Sequence, residues 1–591
     1  MISNFFMANK VPKFTISKHK QERNAFDLSQ THLFQAAPGM LYPILSLDCI
    51  PEDTFKINVV DFIKSMPVVN SPLCSARGVY EFFFVPYHQL WHNFDQFITQ
   101  MSDYRSSYFA LPNPPSQVPS FGNNNSKHFV LSPAWNGSVF SSPHEIYKDV
   151  FGNDVHSGYN ILSDFLGYGP SLKDSYIINN GKVSEDSLLH FEDQVSLPDY
   201  RVNPFRLAAY QKIYQDYYRK TSYEQFDVNS YSLDNLSEGQ ISKLIQMRYR
   251  NYGLDLLTNL RPSAVLSANN TFIFNNLIPK MFGTDKVVSA EADFNNSEIV
   301  VSDRTARYDP INYSDTSSND SDSTLISSPT DLIRGFSVQS IRAAFALDKL
   351  SQIIGRAEKD FKSQMAAVFG VNANVGRDGK CIFIDGFSSD ISFGEVDNTN
   401  GSSYGNSFSS YGKVFGSGNG NITFKAPEFG VLMCIYSIIP FVPYDSTCVD
   451  AFNTKFTYAD YFNPMYQRLG LQPLYSYQLN TLNGLETPSK MSTVLGWQPR
   501  YSEYKTAVDR NHGGFNNYGT LRSFTASRNR SSFDYIKHLT LKEFKVSPNV
   551  FDSVFTTNVN GCQQASFPFF NKVSFNIVKV SSMDTDSLPL L

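Results

Sequence analysis

Nowhere is this chain less free to choose its fold than between Gly78 and Pro86. Every residue from Val79 to Val85 is β-branched or aromatic except Glu81, and such a run fits a pleated strand of ordinary length at about 3.4 Å per residue. Tyr80, Phe82 and Phe84 share one face, while Val79, Phe83 and Val85 share the other with Glu81. Both faces are mainly apolar, so the strand must be covered on both. Pro86 has no amide hydrogen to give a ladder and ends it. Upstream, Phe55, Ile57 and Val59 alternate strictly with Thr54, Lys56 and Asn58, the pattern of a half-buried antiparallel strand. The chain therefore opens on sheet packed against sheet.

Two later stretches extend the sheet. Phe429 to Phe441 is near-continuously apolar, as a strand buried on both faces demands. Val573, Phe575 and Ile577 alternate with Ser574 and Asn576 and are expected to close the sheet. Early and late strands then pair around helical and loop insertions, with many non-local contacts. Residues 92 to about 102 read as a short helix carrying Phe94, Phe97 and Ile98, followed by turn-rich sequence to about Arg201. Asn203 is an N-cap and Pro204 a first helical residue for a helix with Phe205, Ala209, Ile213 and Tyr217 on one face. From about 263 to 330 the chain is rich in Asn, Ser and Asp, and between Tyr308 and Ile333 it has no Lys or Arg, so a solvated loop is expected. Phe336 to Gly370 is the strongest helical stretch, capped by Ser337, broken near Gly355 and ended by Gly370. Residues 399–421 read as a Gly/Ser/Asn linker.

Aromatic residues make up 15% of the chain, with 50 Phe and 33 Tyr, against 18% charged residues. Each ring residue buries roughly 150–250 Å², which points either to large subunit interfaces or to a big core with Tyr-rich loops. The formal net charge of −5 confines any nucleic-acid contact to a local patch. One such patch is the amino-terminal stretch, where Lys10, Lys13, Lys18, Lys20 and Arg23 face only Glu22, with Phe5, Phe6 and Phe14 interleaved. Such an arm either neutralises phosphates and stacks bases or frays in solvent. The six cysteines are scattered without a C-x-x-C pair and read as buried free thiols in a reducing compartment. With no leader sequence and no apolar run long enough to span a bilayer, a soluble protein assembled in a cytoplasm is expected.

No catalytic or cofactor motif stands out. His88 and His92 lack the glutamate of a zinc-protease helix and read as packing residues, and Gly376 to Lys380 is followed by Cys381 rather than the Ser or Thr of a phosphate loop. The acidic cluster Asp315 to Asp322 lacks the glycine and terminal glutamate of a calcium loop. A non-enzymatic protein without cofactor or metal is expected.

Several segments resemble one known family. Phe26-Asp-Leu-Ser29, Gly39-Met-Leu-Tyr-Pro43, Pro51-Glu-Asp-Thr-Phe55, Met66-Pro-Val68 and Phe83-Phe-Val-Pro86 with Leu90-Trp91 resemble the amino-terminal part of Microviridae major capsid proteins, most of all the gokushovirus-like and Bacteroidetes-prophage branch. Pro204-Phe-Arg206, Tyr217-Tyr-Arg219, Arg248-Tyr-Arg-Asn-Tyr252, Leu260-Arg-Pro262, Ile341-Arg-Ala-Ala-Phe345, Phe462-Asn-Pro-Met465 and Gly496-Trp-Gln-Pro-Arg500 continue the resemblance in order. Tyr217 and Tyr218 stand where aromatics, often with Trp, are usual in the family.

The resemblance implies a mainly β chain with α insertions: a single viral jelly roll, an eight-stranded antiparallel β-barrel, with insertions at about 92–200, 262–332 and 399–421. It also implies subunits that self-assemble through pentamers into a T=1 icosahedral virion shell around a circular single-stranded DNA phage genome. Residues 1–38 are then an interior-facing arm, with Lys10, Lys13, Lys18, Lys20 and Arg23 as DNA contacts, and residues 262–332 a protrusion toward the host cell surface. A small basic DNA-binding protein, scaffolding proteins and pilot proteins are the further partners implied. The rival from another class is a β-sandwich carbohydrate-binding protein or glycan-degrading enzyme, since aromatic-rich jelly rolls also bind sugars.

Overall fold

A computed structural model describes mainly residues 23–65, 72–99, 161–168, 203–262, 361–370, 379–396, 411–479, 494–528 and 541–585, with short breaks inside the longer ranges and a few brief strands outside them. The chain divides into two compact units, residues 1–264 with 379–591, and residues 265–378.

The first unit is built on one curled antiparallel sheet. Its strands are β1 (Asn24–Asp27), β2 (Gln30–Ala36), β3 (Tyr42–Cys49), β4 (Thr54–Ser65), β5 (Ser75–Pro86), β6 (Ile382–Val396), β7 (Tyr411–Lys425), β8 (Gly430–Phe441) and β9 (Phe569–Ser581). β1 and β2 run end to end along β9, with Asn24 opposite Ser581 and Ala36 opposite Phe569. Between them Ser29 takes over the ladder: its hydroxyl accepts the Ile577 N–H at 3.1 Å. Counting that interrupted pair as one ribbon leaves eight, in the order β1/β2–β9–β4–β7–β6–β5–β8–β3. First, eighth, third and sixth ribbons form one half and fifth, fourth, seventh and second the other, which is the strand order of a jelly roll. The two halves join through the β6–β7 pair, and β1/β2 and β3 are the edges.

Sequence dictates much of this directly. Along β4, Phe55, Ile57, Val59 and Ile63 are buried while Lys56, Val60, Phe62 and Lys64 are exposed. In β5 the rings of Tyr80, Phe82 and Phe84 turn into the curl, where Tyr80 stacks on Phe387 with centroids 4.7 Å apart and meets Tyr436 at 4.8 Å. On the opposite face Phe83 packs against Tyr217 and Tyr218. Glu81, the one charged residue of the run, accepts the Tyr218 hydroxyl and pairs with Arg250 at 2.7 Å. The double cover required by the apolar run is present, and its single carboxylate fixes the covering segment.

Three expectations need correction. The arm at 1–38 is not an arm throughout, because residues 24–36 are β1 and β2 of the sheet. The linker at 399–421 ends sooner than its composition implies, since β7 begins at Tyr411. Its glycines serve close approach rather than flexibility: a Cβ on Gly420 would come within 2.3 Å of the Phe387 ring. The helix after Pro204, α2 (Phe205–Ile213), is buried almost all round rather than along one stripe. Residues 244–248 wrap its other side, where Gln211 Nε2 donates to the carbonyls of Leu244 and Gln246, and the Tyr210 hydroxyl accepts the Arg248 N–H. Asn203 supports the helix start as expected, its Oδ1 accepting the Phe205 N–H at 2.9 Å. α2 runs on into a π-helical turn, Tyr214–Tyr218, and the short helix α1 (Phe94–Thr99) lies where expected.

The second unit contains a helix, Phe361–Phe369, stopped by Gly370 at φ 68°, and a two-strand pair, Val300–Val301 with Arg304–Thr305. Ser337, Gly355 and the acidic run at 308–333 lie outside the described residues.

Candidate assembly surface

Among the described residues, exposed aromatic side chains are densest in one stretch. Between Asp450 and Met465, short turns are held by side chains rather than by a core. Asp450 accepts the Phe452 N–H at 2.9 Å, Asp460 accepts the N–H groups of Phe456 and Thr457, and Asn463 accepts that of Met465. With the backbone satisfied locally, the intervening side chains point outward. Phe456 is 85% exposed, Tyr458 80% and Met465 81%, and Phe452, Tyr461, Phe462 and Tyr504 are each about half exposed. At roughly 150–250 Å² per side chain, these seven leave on the order of 1,000 Å² of largely apolar surface in water. A typical monomer's largest apolar patch is about 300–600 Å², and one side of a standard protein interface is about 800 Å². The patch therefore matches an interface left open.

Its charges are already engaged. Lys455 Nζ lies 3.9 Å from the Tyr504 ring centroid and 4.6 Å from that of Phe452, and it pairs with Glu503 at 2.7 Å. Burial works against the ammonium, but the Glu503 carboxylate and Tyr504 outweigh it and hold its pKa above the ordinary value. Arg510 pairs with Asp450, and Arg500 donates to the Ala459 carbonyl. Beneath, Tyr501 is buried and packs its ring against Phe462 at 5.3 Å. With Lys455, Arg500 and Arg510 committed, the patch suits another protein surface better than a polyanion.

Of the sequence-predicted DNA contacts, only Arg23 lies among the described residues. Lys10, Lys13, Lys18 and Lys20 lie outside the described residues. Arg23 sits at the end of the sheet, its Nη2 donating to the Glu52 carbonyl, to Thr54 Oγ1 at 3.4 Å and to the Val580 carbonyl at 3.3 Å. His88 and His92 are exposed rather than packed, and His88 meets Glu428 at 2.8 Å. The five cysteines described are free, and Cys49, Cys381, Cys434 and Cys448 are buried. Among the described residues no cluster of His, Cys, Asp or Glu could hold a metal, and no helix is long and apolar enough to cross a membrane.

The remaining polar chemistry is internal. An open cavity of about 610 Å³ is lined by Arg77, Glu81, Tyr218, Arg250 and Phe441 among others, where Arg77 pairs with Asp390 and Arg250 with Glu81. Asp61, buried between the sheet halves, accepts from the Tyr80 and Ser389 hydroxyls at 2.8 and 2.7 Å. Lys545 is wholly buried, donating to the Tyr218 carbonyl at 3.1 Å with its Nζ 4.6 Å from the Tyr214 ring centroid. Burial, aided by Arg248 and Lys220 against the counter-pull of Glu224, lowers its pKa to about 7.

Against known proteins, a family model described as capsid protein (F protein) matches residues 15–153 and 181–591. No curated protein matches the chain.

Proposed function

Because the chain belongs to the capsid protein (F protein) family of Microviridae phages, we propose that it is a major capsid subunit of the gokushovirus-like branch that tiles into a closed T=1 icosahedral shell around a circular single-stranded DNA genome. The observation that carries this reading is the open aromatic surface around Phe456, Tyr458 and Met465. A rigid jelly roll whose loops display that much apolar area gains most by meeting copies of itself. Burying about 1,000 Å² per copy at ~25 cal/mol per Å² gives a gross term of about 25 kcal/mol, from which the costs of association and ordering are drawn.

In this reading the subunit is structural rather than enzymatic, is assembled in the host bacterial cytoplasm and resides in the virion. Lys10, Lys13, Lys18 and Lys20 line the shell interior beside a small basic packaging protein, and scaffolding and pilot proteins assist assembly. Arg23 contributes to the sheet instead, given its ties to Glu52, Thr54 and Val580. Residues 262–332 reach the host cell surface.

Negative-stain microscopy and sedimentation of the expressed full chain test the reading, with viral assembly proteins added in a second arm. Pentamers or closed spherical particles are expected. A persistent 66.7 kDa monomer that turns over a glycan would overturn it in favour of the carbohydrate-active alternative.

A further inference from the structure

The two halves of the sheet differ on their outward faces. The β6–β5–β8–β3 half is covered by the chain itself, Phe83 and Glu81 lying beneath Tyr217, Tyr218 and Arg250. On the other half the outward positions of β4, β7 and β9 lie in solvent. β4 presents Lys56, Val60, Phe62 and Lys64, β7 presents Asn419, Asn421 and Thr423, and β9 presents Lys572, Asn576 and Val578. Those three strands place no carboxylate on this face; on the flanking strands Asp27 stands opposite Val578 at the end of β1, and Asp390 of β6, beside β7, is paired with Arg77. Lys56, Lys64 and Lys572 have no ion-pair or hydrogen-bond partner among the described residues, unlike Lys425, which pairs with Glu52.

Register gives the face its pattern. Phe62, 53% exposed, lies directly opposite Lys572 on β9, and Lys64 is the next outward residue along β4. An exposed ring is thus flanked by two uncompensated ammonium groups at roughly 5–8 Å, the spacing of direct and diagonal neighbours on a sheet. Further along, Asn576, Asn58 and Asn421 stand in one row across β9, β4 and β7, with Asn58 Nδ2 donating to Asn421 Oδ1 at 2.6 Å.

From this arrangement we propose that the outward face of the β9–β4–β7 sheet binds single-stranded nucleic acid, with Lys56, Lys64 and Lys572 on phosphates, Phe62 under a base and the asparagine row against base edges. The strand is single because the ring needs an open base face, which a duplex hides. Asparagine amides donate and accept, so they suit base edges of any sequence. A second copy of the same face is a poor occupant, since pairing it with itself sets lysine against lysine. The proposal deepens the capsid reading and rests on it for the source of the strand, the packaged genome.

The test is fluorescence anisotropy of a labelled oligothymidylate titrated with the full-length chain over a range of salt concentrations. Three phosphate contacts on a single strand contribute about 2 to the slope of log affinity against log salt. The triple variant K56Q/K64Q/K572Q is expected to lose about that much slope. F62A is expected to lose about tenfold in affinity with the slope unchanged, a split that a purely structural role does not produce. All four positions are exposed, and retained circular dichroism verifies folding. Unchanged affinity and slope in both variants overturns the proposal, as does a triple variant that binds normally but no longer assembles, which would make the face a contact between copies. Shells that form from a chain unable to bind the oligonucleotide sink this proposal and leave the capsid reading standing. Binding by a chain that never assembles does the reverse.

Discussion

Replacing Lys545 by Met is expected to remove a calculable pH response from the stability of the first unit. Burial sets the folded pKa of Lys545 at about 7, whereas in the unfolded chain the amine titrates near 10.4. The folded-state value is the depressed one, so between these limits the unfolded state holds the extra proton and stability rises with pH. The gain approaches about 1.4 kcal/mol per pH unit between the two pKa values, and this group contributes roughly 2 kcal/mol from pH 7 to 9. Above about pH 8 the buried thiols oppose it: burial raises the pKa values of Cys49 and Cys74 to about 12 and those of Cys381 and Cys434 well above the ordinary value, so unfolding then releases protons. Stability of the unassembled chain is therefore expected to rise above pH 6 and peak near pH 8. Lys545→Met removes the climb. It forfeits one hydrogen bond to the Tyr218 carbonyl, but that oxygen keeps Asn251 Nδ2 at 2.8 Å, so the loss is about 1 kcal/mol. The variant is then several kcal/mol more stable than the parent at pH 6 and about level at pH 9. Urea midpoints at the two pH values measure this. A variant whose advantage over the parent is the same at pH 6 as at pH 9, or a variant equally weakened at both, rules out this linkage.

Three further outcomes follow from the packing. Gly420→Ala drives a methyl group into the Phe387 ring and is expected to destabilise by about 1–3 kcal/mol in denaturant titration, while the exposed Asn421→Ala changes little. Glu81→Leu strands Arg250, whose side chain is only 18% exposed, and is expected to cost about 3 kcal/mol; adding Arg250→Leu recovers most of that in a double-mutant cycle, because the loss is the unpaired charge. Deleting residues 264–330 is expected to leave particles that assemble, by sedimentation, but attach poorly to host cells; failure to assemble contradicts an external role.

How much was legible depended on whether a residue's neighbours lie near it in sequence. β4, β5, β8 and β9 could be read from alternation or from apolar runs because each strand's burial is written in its own side chains. β7 could not, because Gly418 and Gly420 are small on account of Ser389 and Phe387 on another strand, and without that partner a glycine reads as slack. β1 and β2 were hidden by weak patterning: as an edge ribbon broken at Leu28–Ser29, they bury little beyond Ala36. The stripe assigned to α2 fell short because the segment covering its far side comes from residues 244–248. The aromatic total indicated unburied area, but its position at 452–465 depends on the turns closed by Asp450, Asp460 and Asn463. The bare lysine face needed strand register, which sets Phe62 beside Lys572 across more than five hundred residues of chain.

The central claim, that exposed rings around residue 456 drive assembly, is tested most directly by sedimentation velocity of the parent beside F456S/Y458S/M465S. All three side chains are at least 80% exposed, so the fold survives their loss, and about 500 Å² of apolar contact per copy disappears. Pentamers or shells are expected for the parent and folded monomers for the triple variant at the same concentration. Particles of undiminished size and yield from the variant would contradict it.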